Sequence, residues 1–117
     1  MHLNFSPIKN KIREDIERYL NNIIPGIHHV LSLYSSRLYG ENYLDLLIEE
    51  PEKLRDILVS VTGSLITAKI IARILLTPLA NMATNKSAEE LAELLINNPV
   101  DLHRILQEII SLRSSNK

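Results

Sequence analysis

The chain contains no cysteine, no tryptophan, one phenylalanine and three glycines. Without cysteine there can be no disulfide, no thiolate zinc site and no thiol nucleophile, a composition that fits a reducing compartment. Aromatic residues make up 4% of 117 residues, so the core must be built from leucine and isoleucine, which favours helices over a β-sandwich. Gly26, Gly40 and Gly63 are too widely separated to cradle a phosphate and read as helix punctuation. Neither sign of charge dominates: 13 basic and 14 acidic residues leave a net charge of −1, so the chain has no bulk attraction for a phosphate backbone. The opening MHLNFSPIKNK holds no apolar run of signal-peptide length, and a cytoplasmic location is the expectation.

What is present is the balance of an ordinary globular domain, with 45% hydrophobic and 23% charged residues. One domain is expected over 1–117, with its core in 6–113 and flexible ends at 1–5 and 114–117. The most apolar run is Ser64 to Ala80, SLITAKIIARILLTPLA. At 100° per residue Lys69, Arg73 and Thr77 fall on one narrow strip, and Leu, Ile and Ala cover nearly all other directions. Either a bilayer or a protein core could bury such a helix. Its eight Leu and Ile residues favour insertion by about 4 kcal/mol, against about 6 kcal/mol for a central Lys and Arg, so a core helix is the better reading and no membrane partner is expected.

The remaining segments read as amphipathic helices around that run. Ser6 is placed as an N-cap with Pro7 at the first helical position, opening a helix to about Ile23 with Ile8, Ile12, Ile16, Tyr19, Leu20 and Ile23 inward. Its outer face offers the pairs Lys11–Asp15, Arg13–Glu17 and Glu14–Arg18. Pro25 and Gly26 break it; the next helix carries Ile27, Val30, Leu31, Tyr34 and Leu38 on one face and ends at Gly40. A short helix, YLDLLIEE, stops at Pro51, which starts a fourth, PEKLRDILVSVTG, with Leu54, Ile57, Leu58 and Val61 inward. After the core helix, which Pro78 should kink or stop, residues 81–86 form a polar loop. Ser87 and Glu90 make a capping box for a sixth helix through Leu91, Leu94 and Leu95, and Pro99 opens the last, with Leu102, Ile105, Leu106, Ile109 and Leu112 inward and RSSNK fraying at its end. The fold class is all-α, an orthogonal bundle of six to seven helices around the central hydrophobic helix.

Leu46-Leu47-Ile48-Glu49-Glu50-Pro51, then Leu54, Ile57 and Leu58, repeats as Leu94-Leu95-Ile96-Asn97-Asn98-Pro99, then Leu102, Ile105 and Leu106. The segments are a duplicated α-hairpin or a common solution to one helix corner.

Candidate chemistry is sparse. His28 and His29 are adjacent, which splays their rings by about 100° rather than setting them four apart as ligands, so one should border the core and the other face solvent. Glu49, Glu50 and Glu52 surround a corner without a convergent partner, and Ser35 and Ser36 lack a nucleophile-elbow context. No catalytic residue, cofactor or metal is expected. Lys69, Arg73 and Thr77 are the candidate partner-binding residues: they extend to solvent, bind an acidic surface or a phosphate, or, bordered by Ile66 and Leu76, face a second subunit.

Several of these positions carry a likeness. The Ile8, Ile12, Ile16 rhythm, HVLSLYSSRLYG from His29 to Gly40, Pro51-Glu52-Lys53-Leu54 with Ile57-Leu58, and Gly63 before a hydrophobic helix resemble a family of small helical archaeal output domains found near signalling modules. The resemblance covers about 8–80 and implies a non-catalytic module with no catalytic residue to carry over; the last 31 residues depart from it. The expected function is therefore a protein-interaction or regulatory module with a protein partner or itself as a homodimer. The alternative is a small helical nucleic-acid-binding or ribonucleoprotein subunit.

Overall fold

Proline, glycine and capping side chains set nearly every helix boundary. The computed structural model describes residues 7–82 and 85–115, with side chains described to residue 112. Over these residues the chain forms α1 (Pro7–Ile23), α2 (Ile27–Tyr39), α3 (Tyr43–Glu49), α4 (Pro51–Thr62), α5 (Leu65–Ala80), α6 (Ala88–Asn97) and α7 (Pro99–Ser115). The all-α expectation holds, with seven helices among the described residues. The expected cap at Ser6 lies outside them. Gly40 and Gly63 end α2 and α4 in the left-handed region, at φ 68° and 81°, where a Cβ would be strained. Pro78 does not stop α5, because it falls in the last turn, where the Asn81 N–H still reaches the Thr77 carbonyl at 3.1 Å.

The capping box at α6 forms as expected: Ser87 Oγ accepts from the Glu90 N–H at 3.1 Å, and the Ser87 N–H donates to Glu90 Oε1 at 2.8 Å. Ser87→Ala should lower the unfolding free energy by about 1 kcal/mol and Ser87→Gly by only a few tenths. Urea titration followed by circular dichroism will distinguish them; equal costs would mean that the side-chain cap contributes nothing.

The repeat forms two helix–proline–helix corners of the same shape. Glu50 sits at φ −144°, ψ 70° and Asn98 at φ −152°, ψ 66°, each donating its N–H to the carbonyl four residues back at 2.7 Å. The hairpins α3–α4 and α6–α7 pack on each other reciprocally, α3 with α7 and α4 with α6, while α4 and α7 meet in the middle. That is the pattern of an approximate two-fold relation.

All seven helices contribute to one buried cluster. Within it α4 packs against α2, α3, α5, α6 and α7, while α5 packs against α1, α4 and α6. The most apolar helix is thus not the one with the most neighbours. Its inward side, Ala68, Ile71, Ala72, Leu75, Leu76 and Leu79, is buried, yet Leu65, Ile66 and Ile70 are exposed.

Other faces differ from the sequence reading for tertiary reasons. On α2 the inward residues are Leu31 and Ser35, and Tyr34 and Leu38 point to solvent because α1, α3 and α4 cover only one side. Arg13 pairs with Asp45 of α3 rather than Glu17, and Arg18 pairs with Asp15 rather than Glu14, while Lys11–Asp15 forms at 3.3 Å. In α7 Ile110 is buried and Leu112 exposed. That helix continues to Ser115, into the stretch read as a frayed tail.

Candidate functional site

The strip of Lys69, Arg73 and Thr77 lies along the edge of α5 that faces α6. The carboxylates of Glu89 and Glu93, four apart on α6, meet it. Lys69 Nζ donates to Glu93 and lies 3.8 Å from Glu89, and Arg73 Nη1 is also 3.8 Å from Glu89. Thr77 Oγ1 turns back to donate to the Arg73 carbonyl at 2.9 Å. The hydrogen bond from Lys69 holds the Glu93 carboxyl below its ordinary range, with Asn97 as a second donor, and Glu93 in turn raises the Lys69 ammonium. For Glu93 the lowered value means stabilisation that is present at neutral pH and lost as pH falls through the carboxylate range. For Lys69 the raised value means stabilisation lost only as pH rises through the ammonium range. These groups are exposed or half-buried at the surface, so the ladder orients α5 on α6 more than it stabilises the pair.

Beside this ladder lies the apolar side of the helix. Ile66 is 78% exposed, Leu65 56% and Ile70 47%. Ile66, Lys69, Ile70, Arg73 and Glu89 line a shallow depression of about 350 Å³. Leu76, expected to border the strip, is buried, and Ile70 takes that place. The geometry is an aliphatic patch with a charged edge carrying both signs.

No family model matches the chain, and no curated protein or solved structure matches it.

Several basic side chains elsewhere are similarly occupied. Lys9 meets Glu49 at 2.8 Å, Lys53 meets Glu50, Arg55 meets Asp56 at 3.4 Å, and Arg104 bridges Asp101 and Glu108. Glu49 and Glu50 therefore turn to different lysines and do not converge with Glu52. Among the described residues no group of three His, Asp or Glu is placed to hold a metal ion, and no helix is long and apolar enough to cross a membrane.

One polar constellation escaped the sequence reading. His28 Nδ1 lies 2.8 Å from Tyr43 Oη and Nε2 lies 3.4 Å from Glu17 Oε2, linking α1, α2 and α3. The assignment in which the phenol donates to Nδ1 and Nε2–H donates to Glu17 satisfies all three groups. Burial, aided by the Glu17 charge, raises the phenol well above its ordinary value. Tyr43 is fully buried and the His28 and Glu17 side chains are partly exposed, so the chain of hydrogen bonds runs from the core to the surface and ties the three helices together. His29, as expected from its spacing, is exposed.

Proposed function

We propose that the protein is a non-catalytic interaction module of the regulatory or signal-output kind, and that it self-associates as a homodimer through the outward side of α5. The observation that carries this reading is the exposure of Leu65, Ile66 and Ile70 on a helix whose opposite side is core. Covering apolar surface is favourable by about 25 cal/mol per Å², and interfaces combine an apolar centre with a polar rim. The α6 edge supplies that rim.

A second copy fits because the edge carries both Lys69 and Arg73 and both Glu89 and Glu93. An antiparallel α5–α5 crossing about Ile70 lays one charged edge against the other, so each copy's cations face the second copy's carboxylates, as an isologous interface requires. Nucleic acid is the weaker reading. Counterion release needs several unpaired cations on one face, and Lys69 and Arg73 already face carboxylates. The resemblance to helical output domains agrees with a module that carries no catalytic residue.

Light scattering tests the proposal. Wild type should show twice the 13.3 kDa chain mass, and Ile66→Asp with Ile70→Asp should halve it while the helical circular dichroism is retained. A wild-type monomer at every concentration up to the solubility limit would overturn the reading. Binding of an RNA oligonucleotide at low salt, lost in Lys69→Glu and Arg73→Glu, would replace it with the nucleic-acid alternative.

A further inference from the structure

The outer side of α2 is a second apolar face of different chemistry. Val30, Leu33, Tyr34 and Leu38 recur at the spacing of a helix stripe, and Leu33, Tyr34 and Leu38 are 42%, 38% and 53% exposed. The buried side of the same helix is a separate row, Leu31 and Ser35. Two apolar rows on one 13-residue helix are more than the fold needs, since only one of them meets α1, α3 and α4.

Charge on this face is one-signed. The sequence of α2, IHHVLSLYSSRLY, contains no aspartate or glutamate. Its Arg37 sits between Tyr34 and Leu38, exposed, and makes no hydrogen bond or ion pair among the described residues. Of the neighbouring carboxylates, Glu17 is directed to His28, and Lys53 is held charged first by its hydrogen bond to Glu50, with the Glu41 charge adding to it. An unpaired guanidinium inside an aliphatic stripe is a docking point for a carboxylate.

We infer that this face docks an acidic amphipathic helix of another protein, its apolar stripe lying along Val30 to Leu38 and a carboxylate meeting Arg37. The stripe runs for about 12 Å, two turns, which suits a helix laid alongside rather than a loop tip. Other occupants match the charges less well. A second copy would bring an α2 that has no carboxylate for Arg37, nucleic acid requires several phosphate contacts, and an anionic bilayer surface requires a cluster of Lys and Arg where one Arg stands.

Fluorescence anisotropy with two labelled helical peptides tests this inference. Both carry leucines at i, i+3, i+4 and i+7; one has glutamates flanking the stripe and the other lysines. The glutamate peptide should bind wild type about tenfold more tightly than the lysine peptide, and the preference should shrink as salt rises from about 50 mM to about 500 mM. Arg37→Glu should reverse the preference, and Leu33→Ser with Leu38→Ser should abolish binding of both peptides, with circular dichroism unchanged because these side chains are exposed. Equal binding of the two peptides, binding of neither, or indifference to Arg37→Glu would overturn the inference. Co-sedimentation with phosphatidylserine vesicles, lost in Arg37→Glu, would assign the face to a membrane surface instead. None of these α2 variants should alter the light-scattering mass, so failure here is separable from failure of the α5 dimer.

Discussion

Replacing Leu46 with alanine will lower the unfolding free energy by about 2–5 kcal/mol, while the same change at its repeat counterpart Leu94 will cost roughly half as much. The sequence makes these positions equivalent, but the packing does not. Leu46 is completely buried, whereas Leu94 is only half-buried and lines a surface depression with Lys69 and Lys86. A truncated side chain at Leu46 leaves a void that the surrounding helices cannot fill, and at Leu94 water enters. The other repeat pairs differ from this one. Leu54 and Leu102, and likewise Leu58 and Leu106, are buried without remainder, so each pair should lose the same amount within experimental error. Urea titrations of the six alanine variants, with slopes checked for two-state behaviour, decide the matter. Equal losses at Leu46 and Leu94 would mean that sequence symmetry, not burial, governs the energetics.

The local grammar of the chain was readable in advance, because prolines, glycines and caps act over three or four residues. Pro51 and Pro99 set identical corners through the ring's exclusion of the preceding residue from the α region, whatever surrounds them. Ser87 and Glu90 likewise satisfy each other without help. What could not be read was which of two apolar directions a helix would bury. On α2 the stripe Ile27, Val30, Leu31, Tyr34, Leu38 is real, yet the buried row lies to one side of it, since the choice depends on helices supplied by distant sequence. The same holds for charge: Arg13 has Glu17 one turn away but reaches Asp45, a tie between α1 and α3 that only the tertiary arrangement creates. In α5 the apolar pattern suggested burial on every side but the strip of Lys69, Arg73 and Thr77, which was expected to extend to solvent or meet a partner. The pairing of Lys69 and Arg73 with Glu89 and Glu93 shifts the candidate site from the cations to the isoleucines beside them, with the cations as its rim.

Stability will fall steeply above about pH 10, and Tyr43→Phe will remove much of that fall. In the unfolded chain the phenol ionises at its ordinary value of 10.0, while in the fold burial and the Glu17 charge push it higher. A raised folded value gives stabilisation that is complete below pH 10 and drains as pH rises toward that value. The loss is about 1.4 kcal/mol per pH unit, because only the unfolded state gives up the proton. Below pH 10 the variant should be less stable by about 1 kcal/mol, since it loses the hydrogen bond to His28 and leaves Nδ1 without a donor. The two stability curves should therefore cross near pH 11, where the accumulated loss from the tyrosine equals the cost of the missing bond. His28→Ala separates the contributions: it leaves a buried phenol unsatisfied and should cost about 1–3 kcal/mol at neutral pH, while keeping the wild-type alkaline slope because Tyr43 still cannot ionise in the fold. Urea titrations at unit intervals from pH 8 to pH 12 report all three curves. Parallel curves for wild type and Tyr43→Phe would show that the phenol reaches solvent in the folded protein.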